Sequence, residues 1–216
     1  MRKILVAAAA ALSLVGAGLA AAPAVAAGYE GTVATTTSVS VKSATYGKSI
    51  SATVKVKSGD GVPTGKVTVK IGKTSKTATL KNGSATVKFG KLAAGKYTVS
   101  GSYAGSGIWK SSKASSKSIT IKKAKTSVKA SKISLRLGKK ASVSVKASQA
   151  GKVKVTITGK GYASSKTVSV KAGKTVKVTL KKLGKRAGKY SVKVTFTPKS
   201  SNYLKSSTSK SVKVKK

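Results

Sequence analysis

The 216-residue sequence contains no cysteine and no histidine, and only two acidic residues, Glu30 and Asp60, stand against 45 lysines and arginines. Without cysteine no disulfide can form. With neither Cys nor His, two lone carboxylates cannot assemble a zinc or transition-metal shell. The same scarcity removes most enzyme classes, because general acid and base catalysis needs a group titrating near neutrality or a carboxylate in a tuned site. The expectation is a protein without enzymatic activity, with no catalytic, metal or cofactor-binding residue to assign and no cofactor.

Long apolar runs are also scarce. The one present extends from Ile4 to about Ala22, follows Arg2 and Lys3, and gives way to Pro23 and Ala24-Val25-Ala26-Ala27. That order is the pattern of a secretory signal peptide, cut after Ala26 or Ala27 where small residues occupy the required positions. A membrane anchor is the competing reading, since about 19 apolar residues reach across a bilayer. The alanine and glycine content, the small-residue exit and the absence of a basic stop-transfer flank favour cleavage. Removal of the leader deletes Arg2 and Lys3 and lowers the formal charge from +43 to +41. The expected mature chain is secreted or extracellular, associated with a cell surface, and free of integral membrane segments.

Net charge this high often marks disorder, yet 39% of the residues are hydrophobic and the lysines are not in blocks. From about Thr35 they alternate with Val, Ile, Leu, Ala and Tyr, as in Lys66-Val67-Thr68-Val69-Lys70, so each segment shows one face to a core and one to water. No stretch carries a helical period. Seven short strands are predicted in a first unit, with inward faces Val39/Val41, Ile50/Ala52/Val54/Val56, Val67/Val69/Ile71, Ala78/Leu80, Ala85/Val87/Phe89, Tyr97/Val99/Gly101/Tyr103 and Ile119/Ile121. Gly59-Asp60-Gly61 with Pro63, Asn82-Gly83 and Ala94-Gly95 separate them as turn signals.

A second unit repeats this plan. Ala94-Gly95-Lys96-Tyr97-Thr98-Val99 returns as Ala187-Gly188-Lys189-Tyr190-Ser191-Val192, Gly65-Lys66-Val67 as Gly151-Lys152-Val153, and Trp109-Lys110-Ser111-Ser112 as Tyr203-Leu204-Lys205-Ser206-Ser207. Its strands are predicted around Ile133/Leu135/Leu137, Ala141/Val143/Val145, Val153/Val155/Ile157, Val168/Val170, Val176/Val178/Leu180, Tyr190/Val192/Val194/Phe196 and Val212/Val214. Lys171-Ala172-Gly173-Lys174 reads as a hairpin connection comparable with Lys81-Asn82-Gly83-Ser84. A repeat of about 90 residues with seven strands suits an immunoglobulin-like sandwich, whereas solenoid repeats run to about 20 to 50 residues. The predicted fold is all-β: two tandem immunoglobulin-like β-sandwiches of about seven antiparallel strands each. The segments are a signal peptide over 1–27, an N-terminal extension over 28–34, a first domain over 35–122, a linker over 123–125 and a second domain over 126–216.

Pro63-Thr64-Gly65-Lys66-Val67-Thr68-Val69, the strand from Ala94 to Tyr103, and Gly105 to Trp109 with Ser112 resemble the bacterial Ig-like repeat domains of secreted and cell-surface proteins. The resemblance covers roughly Thr35 to Lys122, and more weakly Lys125 to Lys216, where Gln149-Ala150-Gly151 replaces Pro-Thr-Gly and Phe196-Thr197-Pro198 replaces Tyr-x-Gly. It implies a spacer, adhesin stalk or carbohydrate-associated module, and so bears on architecture more than activity. Ser106 stands where that family often carries an acid, which argues against an inherited cation site.

Other candidate chemistry is weak. Ser-x-x-Lys spacings such as Ser207 to Lys210 arise readily by chance in so Ser- and Lys-rich a chain. An intramolecular Lys–Asn isopeptide link resembles a reaction that needs a buried carboxylate, and the second unit has neither Asp nor Glu. The glycines from Gly101 to Gly107 sit at a strand end, with no helix to follow. Trp109 with Tyr103, and Tyr203 with Phe196, offer an aromatic platform for a sugar or base; the stronger expectation is that each repeat's aromatic plugs the end of its sandwich.

The charge itself needs an explanation. Residues 31–123 hold 17 lysines against Asp60, and residues 124–216 hold 24 lysines and 2 arginines with no acid. A solvated face accounts for a mildly basic protein, but not for this density. The expected partners are anionic envelope polymers or acidic polysaccharide, reached through a diffuse set comprising Lys139, Lys140, Lys152, Lys154, Lys181, Lys182, Lys185, Arg186, Lys213, Lys215 and Lys216. The alternative partner is extracellular nucleic acid, bound without sequence recognition, because Lys is a point charge and base readout favours Arg forks and stacking aromatics. A membrane-disrupting antibacterial cation is a further reading, opposed by the lack of a free amphipathic helix. Lysine-rich sheet edges favour a monomer.

Overall fold

The computed structural model describes residues 32–216; the predicted signal peptide and most of the N-terminal extension lie outside them. Period-2 alternation becomes sixteen strands, and no helix occurs among the described residues. In chain order these are β1 (Thr35–Val41), β2 (Ala44–Thr45), β3 (Ser49–Ser58), β4 (Lys66–Ile71), β5 (Thr74–Thr79), β6 (Ser84–Lys91), β7 (Gly95–Tyr103), β8 (Ser112–Lys113) and β9 (Lys117–Lys122). After a short joint follow β10 (Val128–Ser134), β11 (Lys140–Ala147), β12 (Gly151–Gly159), β13 (Tyr162–Val170), β14 (Thr175–Lys182), β15 (Gly188–Pro198) and β16 (Ser206–Val214).

They form four sheets around two separate cores. In the first domain the sheet β1-β3-β6 faces the sheet β2-β9-β7-β4-β5, with β8 paired to β7; in the second, β10-β11-β14 faces β13-β12-β15-β16. Both follow one plan, a three-stranded sheet over a larger one. The first core runs from Val39 to Ile121 and includes fully enclosed Ala52, Val54, Val67 and Val69; the second runs from Val128 to Val214 and centres on Val143, Val155, Val194 and Phe196. The predicted inward faces supply most of these side chains, because apolar residues at alternate positions reach the core only if the whole strand keeps one register.

Several expectations need correction. The first domain has nine strands, not seven, since two-residue β2 and β8 are added, and β2 joins β9 in parallel. The strand predicted around Ile133, Leu135 and Leu137 begins earlier, at Val128. A bulge between Ser131 and Ile133, where Lys132 takes φ 36°, shifts the register, and Leu135 is buried beyond the strand end. Neither Lys81-Asn82-Gly83-Ser84 nor Lys171-Ala172-Gly173-Lys174 closes a hairpin between strands of one sheet. Each carries the chain across the sandwich, from β5 to β6 and from β13 to β14. The alternation marks a tight turn, but it does not say which sheet receives the next strand. Consecutive strands pair antiparallel within one sheet at β4–β5, β7–β8, β10–β11, β12–β13 and β15–β16, and the two-residue hairpins among them are β4–β5 and β12–β13. Lysine does not guard every edge either: β1 has none, and β5 has only Lys76.

The joint is built as a repeat of the start of the first domain. Val33 N–H donates to Ile108 O at 2.7 Å and its carbonyl accepts from Lys110 N–H at 2.8 Å, while Thr35 Oγ1 donates to Lys110 O at 2.8 Å. Ala124 and Thr126 make the matching bonds to Asn202 O, Leu204 N–H and Leu204 O at 2.9, 2.9 and 2.8 Å. The linker is therefore the leading edge of the second domain. Two further contacts cross the joint. Asn202 Oδ1 accepts from Ala94 N–H at 2.8 Å, and the Tyr203 ring meets Tyr46 edge-on, with centroids 5.3 Å apart.

Candidate functional site

Every lysine and arginine among the described residues is exposed. What distinguishes one place from another is how the topology groups them. In the second domain β10, β12, β14 and β16 all run away from the joint, so residues 135–139, 160–161, 183–187 and 215–216 meet at the far end. Nine of the eleven basic residues expected to bind anions lie there: Lys139, Lys140, Lys181, Lys182, Lys185, Arg186, Lys213, Lys215 and Lys216. Lys152 and Lys154 do not join them, because they lie in the half of β12 nearer the joint. Arg136, Lys160 and Lys189, absent from that expected set, complete the pole. Lys189 stands directly opposite Lys213 in the β15–β16 ladder.

The loops carrying these charges are fixed from beneath. Leu183 is buried at the start of the segment between β14 and β15, where its N–H donates to Lys139 O at 2.8 Å and its carbonyl accepts from Gly138 N–H at 3.0 Å. Tyr190, also buried, donates its hydroxyl to Arg186 O at 2.6 Å, and Tyr162 donates to Lys181 O at 2.8 Å. The two rings meet edge-on at 6.3 Å. A Tyr hydroxyl reaching back to a carbonyl just upstream is the tyrosine corner of Ig-like sandwiches. The first domain repeats it with Tyr97 and Ala93 O at 2.9 Å, which is the structural content of the shared Ala-Gly-Lys-Tyr sequence. The segment from Lys181 to Arg186 is thus pinned at both ends and in the middle.

Glycines make room for Arg186 and Lys160 on adjoining loops. Lys160 and Gly161 are the central residues of the β12–β13 hairpin, at φ 53° and 76°, the left-handed pair of a type I′ turn. Arg186 Nη1 lies 3.7 Å from the point a Cβ on Gly161 would occupy, and a side chain at Gly188 would run into Lys160 Cε. The sequence signal was available: Gly159-Lys160-Gly161 is a turn signature with a lysine where Asn is preferred. No carboxylate side chain exists in this domain to pair with these cations.

The opposite end of the first domain is different in kind. Its loops hold Asp60, Lys81 and Lys110, with exposed Val62 and Ile108. Trp109 packs half-buried against the first core and donates its indole N–H to Asp60 O at 3.1 Å. The aromatic platform reading fails. Tyr103 is buried with its hydroxyl 2.6 Å from Thr64 O, Phe196 is wholly enclosed, and Tyr203 is spent on the joint. The plug expectation holds for Trp109, whereas Tyr203 staples the domains together instead.

Residues 35–122 match the description of the bacterial Ig-like domain, group 3. The first domain is a bacterial Ig-like domain. Such domains are typically extracellular or surface-exposed structural modules, and Ig-like families are generally non-enzymatic. The second domain has the same sheet plan with a more divergent sequence. No curated protein sequence matches the chain. Among solved structures, a two-domain fibronectin type III segment of chicken tenascin is 13% identical, with 81% of this chain and 97% of that one covered at a TM-score of 0.43. Red sea bream transglutaminase is 15% identical at 0.39, and an alpha-2-macroglobulin mutant from Salmonella 9% identical at 0.34. They cover 83% and 82% of this chain, which spans only 31% and 16% of their lengths. Nothing about function follows from overlays this loose. No helix among the described residues is long and apolar enough to cross a membrane.

Proposed function

We propose that this Ig-like protein is an exported, non-enzymatic structural or adhesive module, held electrostatically on anionic polymers of the producer's envelope or matrix. The observation that carries this reading is the far pole of the second domain, where exposed cations without any acid stand on loops pinned by Leu183, Tyr162 and Tyr190. Contact with a polyanion releases condensed counterions, so retention by this route falls steeply with salt. Immobilising few flexible loops keeps the entropic cost of binding low.

Nucleic acid is the alternative anion. The second domain's two arginines and the engaged aromatics give little for reading or stacking on bases, so attachment to it would be through phosphate alone. Fractionation of a producing culture tests the proposal. The protein is expected in a high-salt wash of intact cells; recovery in the medium at low salt would contradict envelope residence.

A further inference from the structure

The Lys160–Arg186 pair goes further than diffuse attraction. Two cations that share a surface without a counter-charge repel, and a chain free to place lysine anywhere gains nothing in folding from holding them together. Here the fold seats them on adjoining loops, Lys160 at a conformational cost. Lys160 occupies the left-handed region, where lysine is disfavoured and Asn or Gly preferred. In the corresponding hairpin of the first domain, β4–β5, this place is held by Gly72, at φ 57°. Gly161 and Gly188 leave the space the two long side chains use. Unopposed like charges, retained on adjoining loops despite an unfavourable backbone angle, point to a bound anion that compensates the charge.

Resting on the polyanion reading above, we infer that Lys160 and Arg186 form a discrete subsite for a phosphate group, with Lys185 at its rim. The guanidinium offers a planar fork and the ammonium a point charge from the neighbouring hairpin. Phosphate oxygens accept from both groups, and phosphate is a favoured partner of the Arg fork and the Lys ammonium alike. The shared chemistry is phosphate, drawn either from a polymer or from a lipid headgroup.

The test uses the full chain, inorganic polyphosphate as probe, and four variants that each remove one charge from the second domain. K160N and R186Q alter the subsite; K154Q and K174N remove equal charge from the middle of β12 and from the turn before β14. K160N and R186Q are expected to weaken polyphosphate binding about tenfold, as loss of a charged hydrogen bond does. The controls should weaken it about twofold. K160N should also keep or raise the urea midpoint, since Asn suits the turn, which separates lost binding from lost folding. With phosphatidylglycerol vesicles in place of polyphosphate, the same ranking of variants would locate the phosphate in lipid; no vesicle binding would locate it in polymer. Equal losses across all four variants, or an equal ranking on polygalacturonate, would overturn the subsite while leaving electrostatic attachment intact. A native chain that binds none of these probes would overturn the proposed function itself.

Discussion

Tyrosine hydroxyls do the closest positioning in this molecule. Tyr190 holds the carbonyl of Arg186, and Tyr103 holds that of Thr64 in the other domain, each at 2.6 Å. Replacing Tyr190 with Phe keeps the ring packing and deletes one bond, so it should cost about 1 kcal/mol in urea unfolding at high salt. Amide exchange in residues 183–187 should accelerate as well. Burial pushes the Tyr103 phenol above its ordinary value near 10. The folded state therefore favours the neutral phenol, and its contribution to stability is complete below pH 10 and fades as pH rises through the raised value. Y103F should remove a phenol that titrates above the ordinary range from an alkaline absorbance titration. At this scale the sequence marked Tyr103 and Tyr190 as inward-facing, but not their hydroxyl partners, which are carbonyls brought in by loops that no periodicity describes.

Strands were the most legible elements and turns the least. Valines at alternate positions leave one burial pattern open, so Val67/Val69/Ile71 and Val153/Val155/Ile157 are buried as expected. Asn82-Gly83 was correctly a tight turn, yet it links opposite sheets because the choice depends on which face of β6 finds the core. Its Gly83 takes φ 68°, and a Cβ there would sit 3.0 Å from Val56 O, while Gly173 at φ 69° has open space. Both Gly→Ala changes bear the left-handed penalty of about 1–2 kcal/mol, and G83A should cost measurably more than G173A in denaturant unfolding. The joint was read as a linker of like charges, and its bonds to Asn202 and Tyr203 were not foreseen. The repeat of Trp109 in Tyr203 pointed to a shared position, but not to a different neighbour. A chain carrying N202A and Y203A should keep both domains' unfolding transitions and show a broader interdomain distance distribution by small-angle scattering.

For the molecule as a whole, composition foretold strong positive charge, and topology decided where it concentrates. The near-absence of acids leaves repulsion unrelieved, so unfolding midpoints should rise from low salt to physiological salt, as the screening length shrinks from about 30 Å at 0.01 M to about 8 Å. A flat response would show that the exposed lysines are far enough apart to ignore one another. The spread of sites along the sequence hid the pole, since loops separated by dozens of residues meet there only after the strands pair. The measurement that tests this account most directly compares two charge-matched variants for retention on isolated envelopes across a salt series. One replaces Arg136, Lys139, Lys182, Lys185 and Arg186 with Gln, and the other replaces Lys55, Lys57, Lys66, Lys70 and Lys88. The account predicts that the first elutes at much lower salt than the second; elution of both at the same salt would contradict a site at the second domain's pole.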